Sequence, residues 1–215
     1  MFKRILSEEG AARADALLLV SVLFFAAFGF IAWTTDPVYT GIGVGDKAPN
    51  LEGQVYDGNG WVPFELIDEE NPRFDENWTE GPGNWVMVEF MDTNCGYCVK
   101  AAQNDIPNQQ ARWLDGARPL EPGTTVEFVA VAIQLGLKDG NYEESSIIDF
   151  RDQYGHDFPY MNDLDNSNRD TWEIEGTPTY FLIAPNGLIA YSSPEQAPSL
   201  DVWEAMEDEI PRGES

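Results

Sequence analysis

The chain has two cysteines, Cys95 and Cys98, and they fall between a run of strand character and a run of helix character. NWVMVEFMD (84–92) on one side is β-rich and reads as a buried central strand. VKAAQNDIPNQQARWL (99–114) on the other reads as a helix that Pro107 should kink or interrupt. Such a chain must carry a strand straight into a helix N-terminus with the cysteines in the turn. There, unsatisfied N–H groups and the helix dipole stabilise a thiolate. The first thiol should fall from a free pKa of about 8.5 towards neutrality. The second, one turn on, is covered and can attack a mixed disulfide to release product. A disulfide scaffold would show more cysteines at wider spacing, and structural zinc wants four Cys/His ligands where only His156 is added. The pair is therefore expected to be a redox-active disulfide, Cys95–Cys98, with no metal and no other cofactor.

Two further features point at the same turn. Glu89 lies six residues before Cys95, and strand alternation puts it with Met87 and Met91, opposite Val88 and Phe90. An acid among such neighbours should have a raised pKa and can accept the Cys98 proton during resolution. Thr177-Pro178 precedes the next apolar run, TPTYFLIAP (177–185). A cis proline facing the cysteines would expose the preceding backbone to pair with substrate as an added strand does.

The remaining elements imply one mixed sheet covered by helices. LEGQVYDGNGWVPFEL (51–66) is a hairpin about Asp57-Gly58-Asn59-Gly60. Residues 67–83 form an acidic surface loop, 126–135 a buried strand and 143–155 an amphipathic helix. Pro185-Asn186-Gly187 turns into strand 188–193, and 200–210 closes as a helix. The expected order is β-hairpin, β–α, β, α, β–β, α, an α/β fold.

Ahead of this domain (49–215) and a tether (34–48) runs ALLLVSVLFFAAFGFIAW (16–33), eighteen residues without a charge. It is expected to be an uncleaved single-pass membrane anchor, with Trp33 and Tyr39 at the interface. Lys3, Arg4 and Arg13 precede it and Lys47 follows, so residues 1–15 should be cytoplasmic and the domain outside. The sequon Asn77-Trp78-Thr79 fits an extracytoplasmic loop. The net charge of −26 falls on the domain, because bases and acids cancel in the first fifteen residues. Such a surface repels nucleic acid and reads chiefly as solvation in salty or acidic surroundings.

Together, Glu89, Cys95-Gly96-Tyr97-Cys98, Thr177-Pro178 and the hairpin at Pro185-Asn186-Gly187 resemble the thioredoxin superfamily. GVGDKAPNLEGQVYDGNG (42–59) and residues 150–191 are similar to its redoxin/TlpA-like branch. The resemblance implies a thioredoxin-like fold and thiol–disulfide exchange on protein substrates bearing thiols or disulfides. It makes Cys95 the attacking thiol, Cys98 the resolver, Glu89 the buried acid and Pro178 a cis proline, with Gly96, Tyr97 and Thr177 beside the substrate. Members are often tethered outside the membrane and fed by a membrane or soluble electron donor. Asn94 stands where the family usually has an aromatic, and Gly96-Tyr97 with Thr177 is similar to periplasmic isomerases. Reductase stays ahead of oxidase or isomerase, helped by acidic neighbours such as Asp92 that would raise the thiol pKa. A peroxidase would need Thr and Pro where Asp92 and Val88 stand. A copper-binding assembly protein would have to recruit His156 to the two cysteines, and a redox-dead adaptor would not need both thiols.

Overall fold

The computed structural model describes residues 17–27, 39–137, 140–196 and 201–213. The chain divides into two compact units, Met1–Val38 and Tyr39–Ser215. In the first, residues 17–27 form helix α1, with side chains exposed throughout. Among the described residues no helix is long and apolar enough to cross a membrane. The rest of the expected anchor, residue 16 and residues 28–33, lies outside the described residues, as do 1–15 and 34–38.

The second unit is a mixed α/β fold built on one seven-stranded sheet, ordered β2-β1-β5-β4-β3-β6-β7. Strands β3 (Asn84–Met91) and β4 (Thr125–Ile133) pair in parallel at its centre. Between them run α2 (Gly96–Asn104) and α3 (Ile106–Trp113), one expected helix broken at Asp105 with Pro107 in the first turn of α3. Helix α4 (Glu144–Tyr154) leads from β4 to β5 (Tyr160–Asp163), again parallel. Both crossovers step the same way across the sheet, so right-handed connections put their helices on one face. Ala102 of α2, Ile106 of α3 and Phe150 of α4 share a buried cluster there with Met87 and Tyr160. The other face is closed largely by Trp172 and Ile174, after α5 (Ser167–Thr171), and by Leu51 and Leu66. Antiparallel β6 (Thr179–Ile183) and β7 (Ile189–Ser192) finish the sheet, followed by α6 (Ser193–Gln196) and α7 (Val202–Glu209).

The N-terminal hairpin forms as the sequence dictates. The Asp57 carboxylate accepts from the N–H of Asn59 at 2.8 Å and Gly60 at 3.0 Å, and Gly58 takes a φ of 98°. Pro63 sits in β2 (Trp61–Glu65), an edge strand, where a missing N–H leaves no ladder bond unmade.

Two features depart from the expected order. Strand β5 and helix α5 were not anticipated, yet β5 is what joins β1 (Glu52–Tyr56) to β4. Four residues of YMND carry no period long enough to announce a strand. Residues 39–48, read as tether, instead cover the exposed edge of β7: Gly45 N–H donates to Ile189 at 2.8 Å and Ile189 N–H to Asp46 at 2.9 Å. An edge strand's unpaired backbone groups favour such a cover.

Candidate active site

Cys95 is the N-cap of α2, in extended conformation (φ −81°, ψ 121°), so its carbonyl accepts the first helical bond from Val99 at 3.0 Å. The strand-to-helix turn is held by Asp92, fully buried at the end of β3. One carboxylate oxygen accepts from the N–H and side-chain amide of Asn94, the other from the Leu135 N–H and the Tyr142 hydroxyl. Asn94 also exchanges hydrogen bonds with the Asn141 backbone, at 3.1 and 3.0 Å. The polar residue at this position thus ties the cysteine turn to the loop after β4.

The two thiols, both free in this structure, have unlike surroundings. Burial pushes the Cys95 thiol up, but the Thr177 hydroxyl, the N–H and thiol of Cys98 and the N–H of Tyr97 outweigh it. The net pKa lies below the ordinary value, although Asp92 had been expected to raise it. The carboxylate's charge is instead taken up by the bonds from Asn94, Leu135 and Tyr142. Cys98 is 1% exposed, and burial drives its thiol far up, with the charges of Glu89 and Cys95 adding to the rise. Cys95 therefore has the more stable thiolate, and Cys98 needs help to lose its proton.

Glu89 is near enough for its charge to raise the Cys98 thiol further. It is 1% exposed, on the face of β3 that carries Met87 and Met91, and burial raises its pKa to about 7. The Tyr180 hydroxyl donates to its Oε1 at 3.2 Å, and Oε2 is buried with no hydrogen-bond partner among the described residues. Tyr180 lies opposite Glu89 in the β3–β6 register.

The Thr177–Pro178 peptide is cis, and the Cys95 thiol lies 3.4 Å from the Thr177 carbonyl. The Thr177 hydroxyl is buried, meets no partner at full hydrogen-bond geometry among the described residues, and lies near enough to both thiols to lower their pKa values. Tyr97 is 72% exposed beside the cysteines, with the Lys100 ammonium 5.4 Å from its ring centroid. Gly96 is also exposed, and an added Cβ there would meet nothing within 4 Å. Tyr97, Lys100, Pro178, Tyr180 and Trp203 line a cleft of about 600 Å³, and a second of about 570 Å³ opens on the other side of Thr177 and Pro178.

The structure thus brings Cys95, Cys98, Glu89, Thr177 and Pro178 together, with Gly96 and Tyr97 on the rim. It leaves His156 elsewhere. That ring is buried between the Tyr160 hydroxyl at 2.6 Å and the Ala102 carbonyl at 3.3 Å, and burial lowers its pKa. Among the described residues no group of three or more His, Cys, Asp or Glu could hold a metal ion. Sequence reasoning missed Tyr180, because strand register decides which residue faces Glu89. It also missed the Asn94–Asn141 and Asp92–Tyr142 ties, which join parts of the chain some fifty residues apart.

No protein-family model matches the chain. It is 28% identical over 173 residues to the thiol-disulfide oxidoreductase ResA of Oceanobacillus iheyensis, a match spanning 80% of this chain and 74% of that protein. Its fold is similar to the thioredoxin domain of a thiol-disulfide oxidoreductase from Bacteroides vulgatus, with a TM-score of 0.50 and 16% identity over 77% of this chain and 94% of the other. A thiol-disulfide isomerase from Corynebacterium glutamicum gives a TM-score of 0.44 at 23% identity, over 67% and 84% of the two chains.

Proposed function

We propose, since the chain belongs to the thioredoxin superfamily and is a thiol–disulfide oxidoreductase, that it reduces disulfides of protein substrates through Cys95 and Cys98. The Cys95 thiolate attacks a substrate sulfur, forming a mixed disulfide and releasing one substrate thiolate. Glu89 takes the Cys98 proton as the Cys98 sulfur attacks Cys95, so a second substrate thiolate leaves and a Cys95–Cys98 disulfide remains. An electron donor, membrane-bound or soluble, then returns the pair to dithiol. Thr177 and Pro178 offer backbone beside Cys95 to an extended substrate segment, and Gly96 and Tyr97 flank it.

The observation that carries this reading is the inequality of the two thiols, one lowered and 8% exposed at the helix N-terminus, the other raised, 1% exposed and influenced by a buried acid. A reducing direction is favoured because burial offsets part of what the hydrogen bonds to Cys95 contribute to its thiolate. A strongly oxidising site stabilises that thiolate heavily. Cys98→Ser in the full chain is expected to accumulate a mixed disulfide through Cys95 with a disulfide substrate. Absence of that adduct would sink the assignment of Cys95. Titration against glutathione should place the potential nearer −270 than −120 mV, on the order of thioredoxin's. A value at the oxidising end would make the same site an oxidase or isomerase.

The same reading places the apolar segment 16–33 across a membrane, with the N-terminus cytoplasmic and the redox domain outside. Its charge-free length and the three bases before it support this. Carbonate extraction should leave the full chain in the membrane fraction, and external protease should digest the domain in intact spheroplasts. Release by carbonate would exclude the anchor.

A further inference from the structure

A carboxyl that accepts a proton in a sealed interior must later give it up, and the groups around Glu89 limit how. Among the described residues its one hydrogen-bond partner is the Tyr180 hydroxyl, on Oε1. Tyr180 is also only half-buried, and it is one of the residues that line the 600 Å³ cleft beside Tyr97 and Pro178. It is fixed from both ends. Its N–H donates to Ser193 Oγ at 3.1 Å, and its ring lies 5.6 Å from that of Trp203. The other wall of Glu89 in the same sheet row is Ala130, which carries no polar side-chain atom.

From this geometry we propose, building on the reading of Glu89 as the base for Cys98, that Tyr180 is its positioning residue and its proton route to the cleft. The bond to Oε1 turns the free Oε2 towards Cys98. During resolution Oε2 gains the Cys98 proton, the Cys98–Cys95 bond forms, and the bond from Cys95 to substrate breaks with its electron pair on the substrate sulfur. The carboxylic acid then turns to present that O–H to the phenol oxygen and gives it the proton while the phenol releases its own to water in the cleft, which restores carboxylate and phenol. No redox equivalent beyond the dithiol and the substrate disulfide is involved.

The test uses the full chain and glutathione disulfide in single turnover, with resolution followed by tryptophan fluorescence across pH 5–9. Wild type, Tyr180→Phe, Glu89→Gln and the double variant are compared. Tyr180→Phe should slow resolution roughly tenfold and raise its pH midpoint by about one unit, because a bond favouring the carboxylate is lost. Its rate of Cys95 alkylation should match wild type, which reports an intact fold and an unaltered first step. Glu89→Gln should slow resolution and remove the midpoint, and adding Tyr180→Phe to it should change nothing. Trifluorotyrosine at position 180, a stronger donor, should restore the rate and lower the midpoint. If Glu89→Gln behaves as wild type, the base itself is misassigned. If Glu89→Gln is slow but Tyr180→Phe keeps the wild-type rate and midpoint, or slows the Glu89→Gln protein by the same factor as wild type, the role given to Tyr180 is overturned.

Discussion

The two faces of β3 follow opposite rules. Val86, Val88 and Phe90 point into a cluster of aliphatic and aromatic side chains, where Phe90 meets Trp172 at 5.5 Å and Phe181 at 6.1 Å between ring centroids. One residue along, Trp85, Met87 and Met91 point into the other cluster, and Glu89 sits in their row with Tyr180 and Tyr160 aligned across the sheet. Both faces are equally buried, so depth is not the difference. What differs is the cover. The second face lies under the helix whose N-terminus holds Cys95 and Cys98, and the buried acid there shares its surroundings with two thiols. The comparison teaches that one strand supplies packing on one side and gives up stability on the other for a group that can titrate.

The contrast breaks most visibly if the acid is moved across the strand. Val88→Glu would put a buried carboxyl between Val129 and Phe181, its apolar neighbours on either side in the sheet row. That should destabilise by about 5 kcal/mol or more, enough to unfold a domain of ordinary stability. Urea unfolding at pH 7 is the measurement, and near-wild-type stability would show that the two faces are not different. The opposite change is smaller and of opposite sign. Glu89 titrates at about 7 when folded against 4.5 for an ordinary Glu, so the folded chain binds more protons between those values. Its contribution to stability is therefore lost as pH rises from about 4.5 through about 7 and is level above that. Glu89→Gln should be more stable than wild type by about 3 kcal/mol at pH 8, with the gain fading as pH falls from about 7 and gone below about 4.5. A gain that ignores pH would mean that the carboxyl's charge is not what the interior resists.

Much of the active face could be read from the chain because its signals are local. Cys95 and Cys98 lie between a strand and a helix within a dozen residues, alternation places Glu89, and Pro107 breaks its helix. Tyr180 could not be read, since it is ninety-one residues from Glu89 and only the β3–β6 register sets them opposite. Strand β5 escaped because four residues hold no period, and the fate of 39–48 because a polar segment gives no sign of the edge it will cover. The apolar face was the easier half to anticipate as core, and it says nothing about function.

The smallest change sharpens the contrast best. Thr177 carries a buried hydroxyl that meets no partner at full hydrogen-bond geometry among the described residues and has the thiols as its nearby polar neighbours, a group that folding alone would not keep. Valine has nearly its shape and no such atom, so Thr177→Val should alter stability by less than about 1 kcal/mol, in either direction. The thiols should notice it more. The Thr177 hydroxyl heads the influences that favour the Cys95 thiolate, so removing it should raise the pH at which Cys95 reacts with iodoacetamide. Cys98, buried and far above its ordinary pKa, should stay unmodified in both proteins. An unchanged midpoint with a large loss of stability would make Thr177 a packing residue and remove it from the site. A raised midpoint with little change in stability would place it with Glu89, among polar groups this face retains for the sulfur chemistry rather than for the fold.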